Sequence, residues 1–249
     1  MKQRYFLELA YNGKRFHGWQ IQPNMISVQE VLEKALSKKL QEKIAVVGAG
    51  RTDTGVHASF FVAHFETEKA FDLGKLQYGL NHLLGDKIAI YDVYAVKNEV
   101  HARFSAISRK YVYKITKKKN PFLVDTSYLY PYDLDIEIMN KACAILLKTR
   151  DFTSFSKLHS DAKTNICDVQ EAFWTEENDL LFFTIKADRF LRNMVRAVVG
   201  TLLDVGRGKL SLNDFESVVN AKNRSMAGIS VAPEGLFLQD IVYPKDIRL

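Results

Sequence analysis

One feature constrains this chain more than any other. A pattern of strand-type and helix-type runs is laid down once, breaks at a proline-bearing stretch, and is laid down again. Residues 4–10 read as a strand. A Gly- and aromatic-rich loop follows from Gly13 to Asn24. Ser27-Val28-Gln29-Glu30 then opens a helix as a capping box, with Val28, Val31, Leu32, Ala35 and Leu36 on one face. Strand-type runs at Ile44–Val47 and Phe60–Phe65, a helix from Asp72 to Leu84, and strands at Lys87–Val96 and Lys110–Thr116 complete the first half. Residues 117–133, with Pro121 and Pro131 and no period, read as a linker. The pattern then restarts. A helix is expected over Asp135–Lys148, strands over Cys167–Trp174 and Leu180–Lys186, and helices over Arg189–Val205 and Ser211–Ala221. A last strand is expected over Leu236–Val242.

A mixture of this kind in both halves predicts an α/β (α+β) protein of two similar domains, 1–116 and 134–249. The 249 residues suffice for two cores of ordinary size. Apolar residues at 47 % and charged residues at 26 % exclude wholesale disorder. Cys143 and Cys167 are the only cysteines, which excludes a disulfide framework and a CxxC zinc site. Glu8 interrupts the first apolar run, and no stretch approaches the ~18 apolar residues of a membrane span. The expected location is the cytoplasm, with reduced thiols and no membrane contact. The net charge of +6 points toward a polyanionic partner. It is concentrated: residues 103–119 contain Arg103, Arg109, Lys110, Lys114, Lys117, Lys118 and Lys119 and no acid, so the rest of the chain nets −1.

The segment Gly48 to Ala58 carries the chemistry. Its Gly and Asp residues suit a plain strand connection. Three functional readings compete. A dinucleotide fingerprint fails, because Asp53 stands where the third glycine belongs and a strand follows. Asp53-Thr54-Gly55 is the triplet of an aspartic protease. With no second copy, only a symmetric dimer supplies the dyad, and Arg51 opposes a shared proton. The third reading is a single ionised Asp53 acting as nucleophile, with a guanidinium that keeps it charged and grips phosphate.

Further segments bear on the choice. Gly50-Arg51-Thr52-Asp53-Thr54-Gly55-Val56-His57-Ala58 resembles, without a break, the GRTDxGVHA signature of the tRNA pseudouridine synthase A (TruA) family. Tyr11-Asn12-Gly13 with Phe16 to Gln22 resembles that family's YxGxxFxGWQxQ segment. His101 to Ala106 with Arg109 to Tyr113 is similar to its HARFSA…RxYxY segment. Phe190 to Gly200 is similar to its FLxxMVRxxVG helix, and Ala232 to Leu236 to a shortened APxxGL.

The resemblance implies an isomerase that converts uridine to pseudouridine at positions 38–40 of the anticodon stem-loop of tRNA. It implies domains with antiparallel sheets and helices on one side, facing a cleft with Asp53 in its floor. It also implies a homodimer whose two subunits both contact the tRNA. Asp53 matches the catalytic Asp, and Tyr111 the tyrosine that stacks on the target uracil. Arg196 matches the arginine that pairs with the catalytic Asp, and Arg51 the arginine that holds the nucleotide out of the helix. An isomerisation requires no cofactor and no metal. The alternatives are an RNA chaperone that binds without turnover and the dimeric protease.

Overall fold

The computed structural model describes residues 2–157 and 163–249. Among them the fold is mixed α/β, with mostly antiparallel strand pairing and five α-helices. The chain divides into two compact units, Met1–Ile107 with Phe237–Leu249, and Ser108–Leu236.

In the first unit, strand β1 (Gln3–Tyr11) lies between β3 (His57–Thr67) and β4 (Ile88–Val96), antiparallel to both. Phe6, Leu7 and Leu9 point to alternate faces and are all fully buried, so both faces of β1 are covered. The short β2 (Val47–Gly48) adds to the other edge of β3. The last strand, β9 (Leu236–Val242), runs parallel to the start of β3, with His57 opposite Phe237. Helix α1 (Val28–Leu40) packs against α2 (Leu73–Leu84), which lies on β4.

Two local expectations are corrected here. Ser27 caps α1 by accepting from the Glu30 amide, but the Glu30 carboxylate turns to Lys34, so only half of the box forms. Residues 44–46 are not a strand. The Ile44 amide donates to Ser37 Oγ and the Val46 amide to Glu33 Oε1, so α1 takes the groups a strand partner would need.

In the second unit, β5 (Ser108–Thr116) pairs antiparallel with β8 (Leu180–Ala187), and β8 with β7 (Val169–Glu177). Helix α3 (Ile136–Lys148) packs on β7 and touches α4 (Met194–Gly206) and α5 (Leu212–Asn220). Ser211 and Asp214 form the complete capping box of α5.

The boundary differs from the expected linker. Residues 117–133 lie within the second unit, where β6 (Tyr128–Leu129) pairs parallel with the end of β5. Arg109 to Thr116 pair residue for residue with β8, so β5 belongs to the second unit, whereas β9 returns to β3. The expected helix over Arg189–Val205 starts only at Met194, after Asn193 at φ 65°.

Candidate active site

Asp53 sits half-buried on the connection between β2 and β3. The loop at residues 11–22 packs against it through groups that leave no room for substitution. A β-carbon on Gly13 would meet the Val56 carbonyl oxygen at 2.1 Å, and one on Gly18 the Thr52 carbonyl oxygen at 2.5 Å. A β-carbon on Gly48 would enter the Trp19 indole at 2.5 Å. Trp19 in turn stacks on Phe61 of β3 at 4.2 Å. The Trp19 amide donates to the Thr52 carbonyl, and Tyr11 Oη lies 2.9 Å from Thr52 Oγ1. Buried Thr52 is thus held from two sides, and the Val56 amide closes a turn onto the Asp53 carbonyl. Gly55, at φ 79°, lets the chain reverse into β3. On the far side the Gly13 amide donates to His57 Nδ1, and the His57 ring stacks on Phe237 at 4.6 Å. Arg51 is exposed.

Tyr111 and Arg196 belong to the second unit. Tyr111 is half-buried on β5 opposite Ile185, with the Phe190 ring edge-on at 5.0 Å. Two residues on, Tyr113 is fully buried and its hydroxyl donates to the Ala232 carbonyl at 2.7 Å. Burial, then the nearby Glu234 charge, raises the Tyr113 phenol well above its ordinary value, so it stays a donor. The shortened closing segment fits here. Pro233–Gly235 form one 3₁₀ turn, and Gly235 backs onto the Tyr113 ring, where a β-carbon would come within 2.8 Å.

Arg196 stands in the first turn of α4. Its Nε donates to the Val231 carbonyl at 2.6 Å, and the Val231 amide returns a bond to the Arg196 carbonyl. The strap at residues 227–231 crosses α4 at Gly200, whose missing side chain makes room for the Ile229 carbonyl. Arg224, bonded to the Ala227 and Gly228 carbonyls and to Ser230 Oγ, braces the strap. Sequence reading did not single out the strap or Arg224. Gly228 in an irregular stretch is the one local signal for it.

The basic segment is partly matched locally. Lys117 pairs with Glu176 at 3.1 Å, Lys118 with Asp179 at 3.0 Å and Lys110 with Glu171 at 3.1 Å. Lys114 is half-buried, and desolvation lowers its ammonium. Burial pushes both thiols, Cys143 and Cys167, up to about 12. Among the described residues no three His, Cys, Asp or Glu side chains gather as metal ligands, and no helix is long and apolar enough to cross a membrane.

The model of a family described as tRNA pseudouridine synthase matches residues 9–105 and 142–244. The chain belongs to the tRNA pseudouridine synthase family. It is 53 % identical over 246 residues to tRNA pseudouridine synthase A of Parabacteroides distasonis, covering 98 % of each chain. It is 53 % identical over 247 residues to that of Bacteroides fragilis, again covering 98 % of each. It is 41 % identical over 239 residues to that of Bacillus licheniformis, covering 94 % of this chain and 97 % of the relative. The protein is thus a pseudouridine synthase, an isomerase that modifies tRNA. The Asp53-Thr54-Gly55 triplet lies inside a stretch matched by the synthase model. Arg51, Asp53 and Arg196 fall inside the matched stretches of the synthase model, and Tyr111 falls between them.

Proposed function

We propose that this synthase isomerises uridine at positions 38–40 in the anticodon stem-loop of tRNA, in the cytoplasm and as a homodimer, with Asp53 as the nucleophile on a flipped-out uridine. The observation that carries the reading is the unbroken motif at residues 50–58 on a loop whose backbone is locked by Gly13, Gly18 and Trp19. A nucleophilic carboxylate must be presented at a fixed angle, and a loop held this way loses little order when substrate arrives. Extruding a paired base costs a few kcal/mol, and stacking on an aromatic ring returns ~1–3 kcal/mol. Tyr111 is the proposed platform, with Phe190 fixing its ring. Arg51 is the proposed wedge that occupies the vacated place. Arg196, its guanidinium oriented by the Val231 carbonyl, is the proposed counter-charge that keeps a carboxylate ionised. Breaking the glycosidic N–C bond and forming a C–C bond leaves the atom count unchanged.

The test is pseudouridine detection by carbodiimide-blocked reverse transcription after incubation with unmodified tRNA. Wild type is expected to give stops at positions 38–40. Asp53→Ala and Asp53→Asn should give none, with tRNA affinity held within about threefold, because the lost interaction belongs to the reacting state alone. Turnover by either variant sinks Asp53 as nucleophile. Stops at other positions sink the proposed target.

A further inference from the structure

The turn at residues 101–106 is built more firmly than an ordinary surface loop. The Arg103 and Phe104 amides both donate to His101 Nδ1, at 3.0 and 3.3 Å. The His101 amide donates to Ser105 Oγ, and the Ser105 amide returns to the His101 carbonyl. From beneath, the Ala102 amide donates to the buried His64 at Nδ1, and the Tyr243 hydroxyl donates to the Ala102 carbonyl. The Ile107 amide then ties the exit to the Val242 carbonyl. This frame displays an apolar ring. Phe104 is 76 % exposed, its inner side rests on the His101 ring at 4.4 Å, and the Arg103 guanidinium lies 5.5 Å from its centroid.

A lone exposed apolar side chain carries no message by itself. Here three observations coincide: an exposed ring, a backbone ordered in advance around it, and the Arg103 guanidinium beside the ring. A π-face beside a guanidinium is the chemistry that receives a nucleobase and its phosphate. We propose that Phe104, with Arg103, is a positioning platform on which one unstacked base of the bound RNA lies. This inference rests on the tRNA reading above and assigns that substrate a second contact. Because the turn is already ordered, docking a base costs little further chain entropy.

The experiment compares Phe104→Ala, Phe104→Leu and Phe104→Trp for affinity toward unmodified tRNA, saturating turnover and sedimentation. Phe104→Ala should bind ~5- to 150-fold more weakly, the range expected for one lost base stack, with saturating turnover little changed. Phe104→Leu should stay weak and Phe104→Trp should recover. The added indole is read directly, since Trp19 and Trp174 are only 2 % and 3 % exposed, and its emission should be quenched when tRNA binds. Wild-type affinity in Phe104→Ala overturns the platform, as does recovery by Phe104→Leu. A changed sedimentation coefficient in Phe104→Ala overturns it in favour of a contact between copies of the chain. Wild-type protein that makes no pseudouridine in tRNA overturns the parent reading, and the platform with it. Full wild-type activity beside an unaffected Phe104→Ala removes the platform alone.

Discussion

Gly18 lies so close to Thr52 that a β-carbon on the glycine would sit 2.5 Å from the threonine carbonyl oxygen. The neighbouring atoms are backbone of Asp53 and Thr54, which cannot step aside as a flexible side chain would. Gly18 also holds φ at 83°, a region that L-residues enter at a cost. Two segments that look separate in the sequence therefore act as one body under the candidate nucleophile.

Gly18→Ala should lose about 1–3 kcal/mol of stability from the dihedral alone. Its larger effect should be on turnover, because a shift of the order of 1 Å at Asp53 is enough to slow the reaction about 100-fold. Urea unfolding and single-turnover pseudouridine formation measure the two effects separately. A variant with normal turnover would show that the loop adapts without this contact.

Gly200→Ala should be more damaging to the fold. The added β-carbon would stand 1.8 Å from the Ile229 carbonyl oxygen, so the strap at residues 227–231 must lift off α4. Lifting it endangers the bond from the Gly228 amide to Thr201 Oγ1 and the paired bonds between Arg196 and Val231. Overpacking of this kind costs about 1–3 kcal/mol. Gly74→Ala is the contrast, since its nearest neighbour, Asp72 Oδ1, lies at an ordinary 3.5 Å. In that exposed helical turn alanine should be neutral or stabilise by up to ~1 kcal/mol. Thermal unfolding of both variants is the measurement, and similar midpoints would refute the strap argument.

Neutralising Lys117, Lys118 and Lys119 together should flatten the salt dependence of tRNA binding by fewer than three phosphate contacts. Each lost contact removes about 0.7–0.9 from the slope of log K against log salt. Lys117 and Lys118 already face Glu176 and Asp179 across exposed pairs that contribute only ~0–1 kcal/mol to stability. A drop of about one unit is expected, with Lys119 accounting for most of it. A drop of more than about two units would mean that both pairs open when RNA binds.

Acid should weaken the protein before its carboxylates titrate. Burial above all, then the Arg4 and His101 charges, lowers His64 to about 4, against a small opposing effect of Glu66. The unfolded chain takes a proton near the ordinary value of 6.5, which the folded protein refuses until about 4. Stability from His64 is therefore complete above pH 6.5 and is lost as pH falls toward 4. His101 is shifted in the same direction, by burial first and then by Arg4 and Arg103. Between pH 7 and pH 5 the loss from His64 should be about 2 kcal/mol. His64→Asn retains an acceptor for the Ala102 amide and should flatten that slope in urea unfolding. An equal slope in the variant would place the titration elsewhere.

Much of the secondary structure was legible in the sequence because its causes are local. The helices expected to open at Ser27, Asp72, Asp135 and Ser211 each have that residue as their cap, and β9 has the bounds expected of it. Residues 44–46 carry strand-like residues, but side chains of α1 occupy their backbone groups. Residues 189–193 carry helix-like spacing, but the chain turns through Asn193 in the left-handed region.

The sequence by itself determined the periodicities, the helix starts and the nine-residue motif around Asp53, because each depends on neighbours within a few positions. Only the tertiary structure decided which segments stand together. Tyr11, Gly13, Gly18 and Trp19 brace the Asp53 loop, and Ala232 and Gly235 brace Tyr113. The strap holds Arg196, and β5 and β9 are shared out between two units. Such choices depend on shape and hydrogen-bond complementarity between stretches far apart along the chain, and no local spacing records them.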